Sequence, residues 1–112
     1  MNELDSYWKV NDELTEFIDR IKSLCEISTL TRKDISICLG RKHNYITQIL
    51  DGKLVGMPLA TFLKMLAVFN ISLEEFCQKK EKFEHMINAK KEDIISNAKE
   101  RLAFYKAKKD SQ

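Results

Sequence analysis

Apolar residues recur along this chain mostly at intervals of three and four, the spacing of one face of an α-helix. Leu14, Phe17, Ile18, Ile21, Leu24 and Cys25 form the first stripe, and Asn11 ahead of Asp12 and Glu13 reads as an N-cap followed by an acidic first turn. The spacing predicts a helix over 12–27. Residues 1–10 precede it as an N-terminal arm whose Leu4, Tyr7, Trp8 and Val10 suit docking as a short arm or an extra turn.

Thr31 with Asp34 resembles a capping box opening a short segment in which Ile35, Cys38 and Leu39 face one way, and Gly40 suits its end. A third run over about 42–50 stops at Asp51-Gly52, a turn pair. Pro58 suits the first turn of a fourth helix carrying Leu59, Phe62, Leu63, Leu66 and Ala67, with Asn70 as its stop. In Ile71-Ser72-Leu73-Glu74-Glu75-Phe76, Ser72 and Glu75 make a capping box and Ile71 can staple to Phe76, so a fifth helix starts there. From Gln78 to Asp110 there is no Gly or Pro, and Phe83, Ile87, Ile94, Ala98, Leu102 and Tyr105 mark a narrow apolar seam on one long helix or two shorter ones.

Composition narrows the class. Three glycines and one proline in 112 residues leave few tight turns, which favours an all-helical protein over a sandwich or barrel. The formal net charge of +2 is uneven: −4 over residues 1–20, +3 over 21–56, −1 over 57–78 and +4 over 79–112. Cys25, Cys38 and Cys77 show no C-x-x-C spacing and have only His43 and His85 for company, so core thiols are expected rather than disulfides or a metal site. His85 and Cys77 lie apart with no Gly-rich loop and no nucleophile beside a base, so neither catalysis nor a cofactor is expected. The start lacks the basic-then-apolar order of a signal peptide and no apolar run spans a bilayer, which gives the expectation of a soluble cytoplasmic protein with no membrane partner.

On a helix over 42–50, His43, Asn44, Thr47, Gln48 and Asp51 occupy one arc of about 140°, with Tyr45, Ile46 and Ile49 opposite. Two short helices joined through Gly40, the second with such an arc, make a helix-turn-helix pattern. From about Phe17 to Phe76 the chain resembles the Cro/repressor-type, XRE-like helix-turn-helix family. The resemblance rests on Leu30-Thr31, Leu39-Gly40, Tyr45-Ile46 with Ile49, Gly52-Lys53, and Pro58-Leu59-Ala60-Thr61-Phe62-Leu63 leading to Ile71–Phe76, in that order.

That resemblance implies a compact five-helix, lambda-repressor-like domain over 11–78 and a C-terminal helical extension over 79–112. It also implies a dimeric transcriptional repressor on a near-palindromic double-stranded DNA operator. His43, Asn44 and Gln48 match its base-reading positions and Thr47 lies between them on the same face; amides, imidazole and a threonine methyl suit base edges. Arg32, Lys33, Arg41, Lys42 and Lys53 are candidates for phosphate. Tyr45 is expected to pack with its hydroxyl exposed. The family usually has a small apolar residue where Arg41 stands and a Ser or Thr cap where Lys42 stands, so the turn is where a departure is expected. Where many members carry an Arg–Glu pair, this chain has Cys25 and Leu50, for which a buried apolar contact is the expectation. A homodimer needs a symmetric surface, and the seam Phe83, Ile87, Ile94, Ala98, Leu102, Tyr105 is the one expected to supply it, with intramolecular packing as the competitor. Lys106, Lys108 and Lys109 form a solvated end, with DNA-backbone contact as the lesser alternative. The second functional class is a protein-interaction module, such as an antitoxin or anti-regulator gripping a protein partner through the C-terminal helix.

Overall fold

The computed structural model describes residues 3–54 and 56–110, with side chains for 12–54 and 56–108. Seven helices occur among them, and no strand: α1 (Glu3–Ser28), α2 (Arg32–Cys38), α3 (Tyr45–Leu50), α4 (Leu59–Phe69), α5 (Leu73–Phe76), α6 (Lys80–Ala89) and α7 (Lys91–Asp110). The chain is all-helical, as its periodicity and scarce turn residues predict.

α1 begins far earlier than expected. Asn11 lies inside the helix rather than capping it, and residues 3–10 continue α1 instead of forming a separate arm. No Gly or Pro stands upstream to stop the helix, and a good N-cap residue is tolerated in a helix interior at a cost of only about 0.7 kcal/mol. Docking by Leu4, Tyr7, Trp8 and Val10 falls outside the described side chains.

Where α1 ends, the buried Ser28 hydroxyl donates to the Cys25 carbonyl (2.8 Å) and accepts from the Leu30 amide (3.3 Å), and Thr29 turns the chain at φ 64°. α4 ends on a left-handed residue too, Asn70 at φ 56°, and the amides of Asn70 and Ile71 close back on the carbonyls of Ala67 and Leu66. Asn97 of α7 donates to the carbonyls of Val68 (2.8 Å) and Ala67 (2.9 Å), the latter already closed on by the Asn70 amide. The capping box of α5 forms in both directions, and Lys90, the single residue between α6 and α7, donates to the Glu75 carboxylate and the Asn70 carbonyl.

One core gathers Ile21 and Leu24 of α1, Ile35 and Cys38 of α2, Ile46 and Ile49 of α3, Met65 and Phe69 of α4, Phe83 and Ile87 of α6, and Ile94 and Ala98 of α7. Phe17, Phe62, Phe76 and Phe83 add a chain of tilted and edge-on aromatic contacts at 5.0–5.8 Å. Arg20 threads that cluster: it stacks on Phe83 (4.9 Å), pairs with Glu16 (2.6 Å) and donates to the Phe76 carbonyl at the end of α5.

α6 and α7 are integral to this core, so the expected boundary at residue 78 does not separate two units. The seam is likewise spent inside the chain. Phe83, Ile87, Ile94, Ala98 and Leu102 are 0–9% exposed, Tyr105 is partly buried against the core, and α7 packs on α1, α2 and α4. Periodicity reveals an apolar face but not what covers it, and here the neighbouring helices do.

Candidate functional site

The α2–turn–α3 segment carries the residues of interest. Thr31 caps α2, its hydroxyl accepting from the Asp34 amide at 3.0 Å. At the other end Gly40 takes φ 70°, and the amides of Gly40 and Arg41 close on the carbonyls of Ile37 (2.9 Å) and Ser36 (3.1 Å). α3 ends the same way: Gly52 takes φ 76°, and the amides of Gly52 and Lys53 meet Ile49 and Gln48. Glycine stops therefore end both α2 and α3.

α3 starts at Tyr45 rather than at residue 42. Asn44 holds the N-cap position without capping by its side chain. The missing cap comes from α2: the Ser36 hydroxyl, fully buried, accepts from the Ile46 amide (3.0 Å) and donates to the Arg32 carbonyl (2.8 Å). One hydroxyl thus satisfies an orphan donor of α3 and ties that helix to α2.

His43 and Asn44 consequently stand in the turn, exposed, while Thr47 and Gln48 lie on α3, half-buried. The 140° arc becomes a turn plus one helical face, because residues 41–44 leave the helical path. Among the described residues none of the four side chains makes a hydrogen bond or ion pair, so their donors and acceptors are not engaged within the chain.

The five basic candidates divide. Lys33, Lys42 and Lys53 are exposed around the turn and the ends of α2 and α3. Arg32 faces Asp51 at 3.9 Å, an exposed pair worth about 0–1 kcal/mol that a phosphate can replace. Arg41 serves the fold. Its guanidinium donates to the Thr61 hydroxyl (2.7 Å) and lies 5.2 Å from the centre of the Tyr45 ring, tying the turn to α4. The small residue usual in the resembled family could not reach Thr61. Tyr45 also departs from expectation: its hydroxyl is buried and finds no partner, and burial pushes its pKa up against the opposing Arg41 charge.

No family model, no curated protein and no solved structure matches this chain. The site's chemistry therefore rests on its own residues. Cys25 is buried and Leu50 is partly buried against the core, so both stand in apolar surroundings. Burial raises the Cys25 thiol pKa to about 12 and that of Cys38 to about 11, so both behave as apolar filling, whereas Cys77 is exposed.

Sequence reasoning missed Ser36, Arg20, Asn97 and Lys90. Ser36 had a local signal, a lone small polar residue at the edge of the Ile35–Cys38–Leu39 stripe. The other three act over 15 to 56 residues of separation, where periodicity carries no information. Among the described residues no helix is long and apolar enough to cross a membrane.

Proposed function

We propose that this chain is a sequence-specific double-stranded DNA-binding regulator of the XRE-like helix-turn-helix type. It places the turn before α3 and the outer face of α3 in the major groove. The observation that carries the reading is the combination at residues 41–53. Four unengaged polar side chains (His43, Asn44, Thr47, Gln48) sit on a turn and helix closed by backbone hydrogen bonds and the Ser36 hydroxyl, framed by exposed Lys33, Lys42 and Lys53. Asn44 and Gln48 amides suit bidentate pairing with adenine N6 and N7, His43 suits guanine acceptors, and the Thr47 methyl suits a thymine methyl. The lysines, with Arg32 once Asp51 releases it, suit phosphate and hold register.

The regulator acts as a dimeric repressor that occupies a near-palindromic operator and blocks promoter access, with recognition helices about 34 Å apart. Its two-fold contact uses a surface other than the buried α6–α7 seam. Among the described residues the exposed large apolar side chains are Leu54, Leu59, Leu63, Leu73 and Phe104.

The test is selection of bound sites from a randomised duplex library, then titration of the enriched duplex against a scrambled one at near-physiological salt. A two-fold symmetric consensus, a large preference over scrambled duplex and affinity falling steeply with salt are expected. Absence of enrichment would turn attention to a protein partner.

A further inference from the structure

α7 opens on Lys91, Glu92 and Asp93, and its later part is mainly basic: Lys99, Arg101, Lys106, Lys108 and Lys109 follow, with Glu100 among them and Asp110 at the end. The helix macrodipole accounts for that order along the helix. Packing decides where the basic end goes.

α7 starts at the C-terminal end of α4, where Lys90 reaches the Asn70 carbonyl and Asn97 the carbonyls of Ala67 and Val68. It then runs along α4 and packs on α2. The other end of α4 is tied to the turn after α2 through Thr61 and Arg41. Antiparallel packing therefore carries the second half of α7 toward the α2–α3 turn. The Cys38 thiol, at the last residue of α2, reports the same proximity. Its pKa is raised chiefly by burial and further by Asp34, and the positive charges of Lys106 and Arg101 act against that rise. Arg101 and Lys106 are exposed, and neither makes an ion pair among the described residues, unlike Arg32 and Lys90.

We infer that the basic second half of α7, through Arg101 and Lys106, is a further nucleic-acid backbone contact that extends the α2–α3 surface along the duplex. The inference rests on the DNA-binding reading proposed for α3. These side chains meet phosphate, not base edges, because they stand on α7, which packs on α2, whereas Asn44 and Gln48 stand in the turn before α3 and on α3 itself. They add to the field of Lys33 and Lys42, and a stretch of duplex phosphates is the ligand long enough to engage both groups at once.

The experiment is a salt titration of duplex binding by the full chain, with Arg101→Gln/Lys106→Gln compared with the parent on an enriched duplex and on a scrambled one. The slope of log affinity against log salt should fall by about 1.8, that is about 0.9 for each phosphate no longer neutralised. The change should be equal on both duplexes, so that sequence preference is unchanged. Arg101→Lys/Lys106→Arg, which keeps both charges, should keep the parent slope, and matched melting curves separate a weakened phosphate interaction from a damaged fold. A variant with the parent's slope and affinity overturns the inference, as does a weakening confined to the enriched duplex. A parent that shows no salt-dependent duplex binding overturns the reading of α3 itself and this inference with it, a failure distinguishable because the parent shows it.

Discussion

The Ser36 hydroxyl stands between two helices with no solvent around it, taking the Ile46 amide and giving its proton to the Arg32 carbonyl. Alanine there leaves a buried donor unpaired, a cost of about 1–3 kcal/mol. Ser36→Ala should therefore lower the urea midpoint and speed exchange of the Ile46 amide, and an unchanged exchange rate would show that the cap contributes nothing. The cysteines give a second residue-scale test. With their pKa values held near 12 and 11 by burial, Cys25 and Cys38 stay protonated and shielded, while Cys77 is open to reagent. Intact mass after brief alkylation at pH 8 should show one adduct, rising to three only in denaturant. Rapid triple labelling under native conditions would contradict the packing described for α1 and α2.

At the scale of elements, side chains tie the ends of several helices to one another across the core. Glu75 closes the α5 capping box and receives Lys90 from the α6–α7 junction. The Ser72 amide first, and then Lys90, hold its carboxyl below the ordinary value of 4.5 against the opposing effect of burial. A carboxylate with a depressed folded-state pKa stabilises the fold fully above its unfolded-state value, and that contribution disappears as pH falls through the folded-state value. Stability should thus decline below about pH 4.5, and Glu75→Gln should start less stable at neutral pH and show a shallower acid decline. An identical pH profile in the variant would remove Glu75 from the account. The local part of this logic was legible from residues alone: Ser72 and Glu75, Thr31 and Gly40 all sit where their chemistry predicts. The start of α3 was not, because its cap comes from ten residues away. Nor was the start of α1, because Asn11 looks like a cap and nothing upstream compels the helix to stop.

For the whole molecule, the largest change from sequence to structure concerns the last third of the chain. The spacing of Phe83, Ile87, Ile94, Ala98 and Leu102 identified an apolar face correctly, and its destination depended on which helices lay opposite. Because α7 covers α1, α2 and α4, a chain ending at Gln78 should show no cooperative thermal unfolding. A sharp transition in that truncated form would restore the boundary at residue 78. The candidate reading face was legible in composition but not in shape: all four polar residues remain at the surface or half-buried, yet two of them stand in a turn. Base reading by this face is tested by site selection from a randomised duplex library with the parent and Gln48→Ala side by side. The variant should keep the parent consensus except at one base pair per half-site, where preference relaxes at a cost of about 1–3 kcal/mol. The same consensus at every position, weakened uniformly, would contradict base reading by Gln48, and no consensus from the parent would contradict the claim outright.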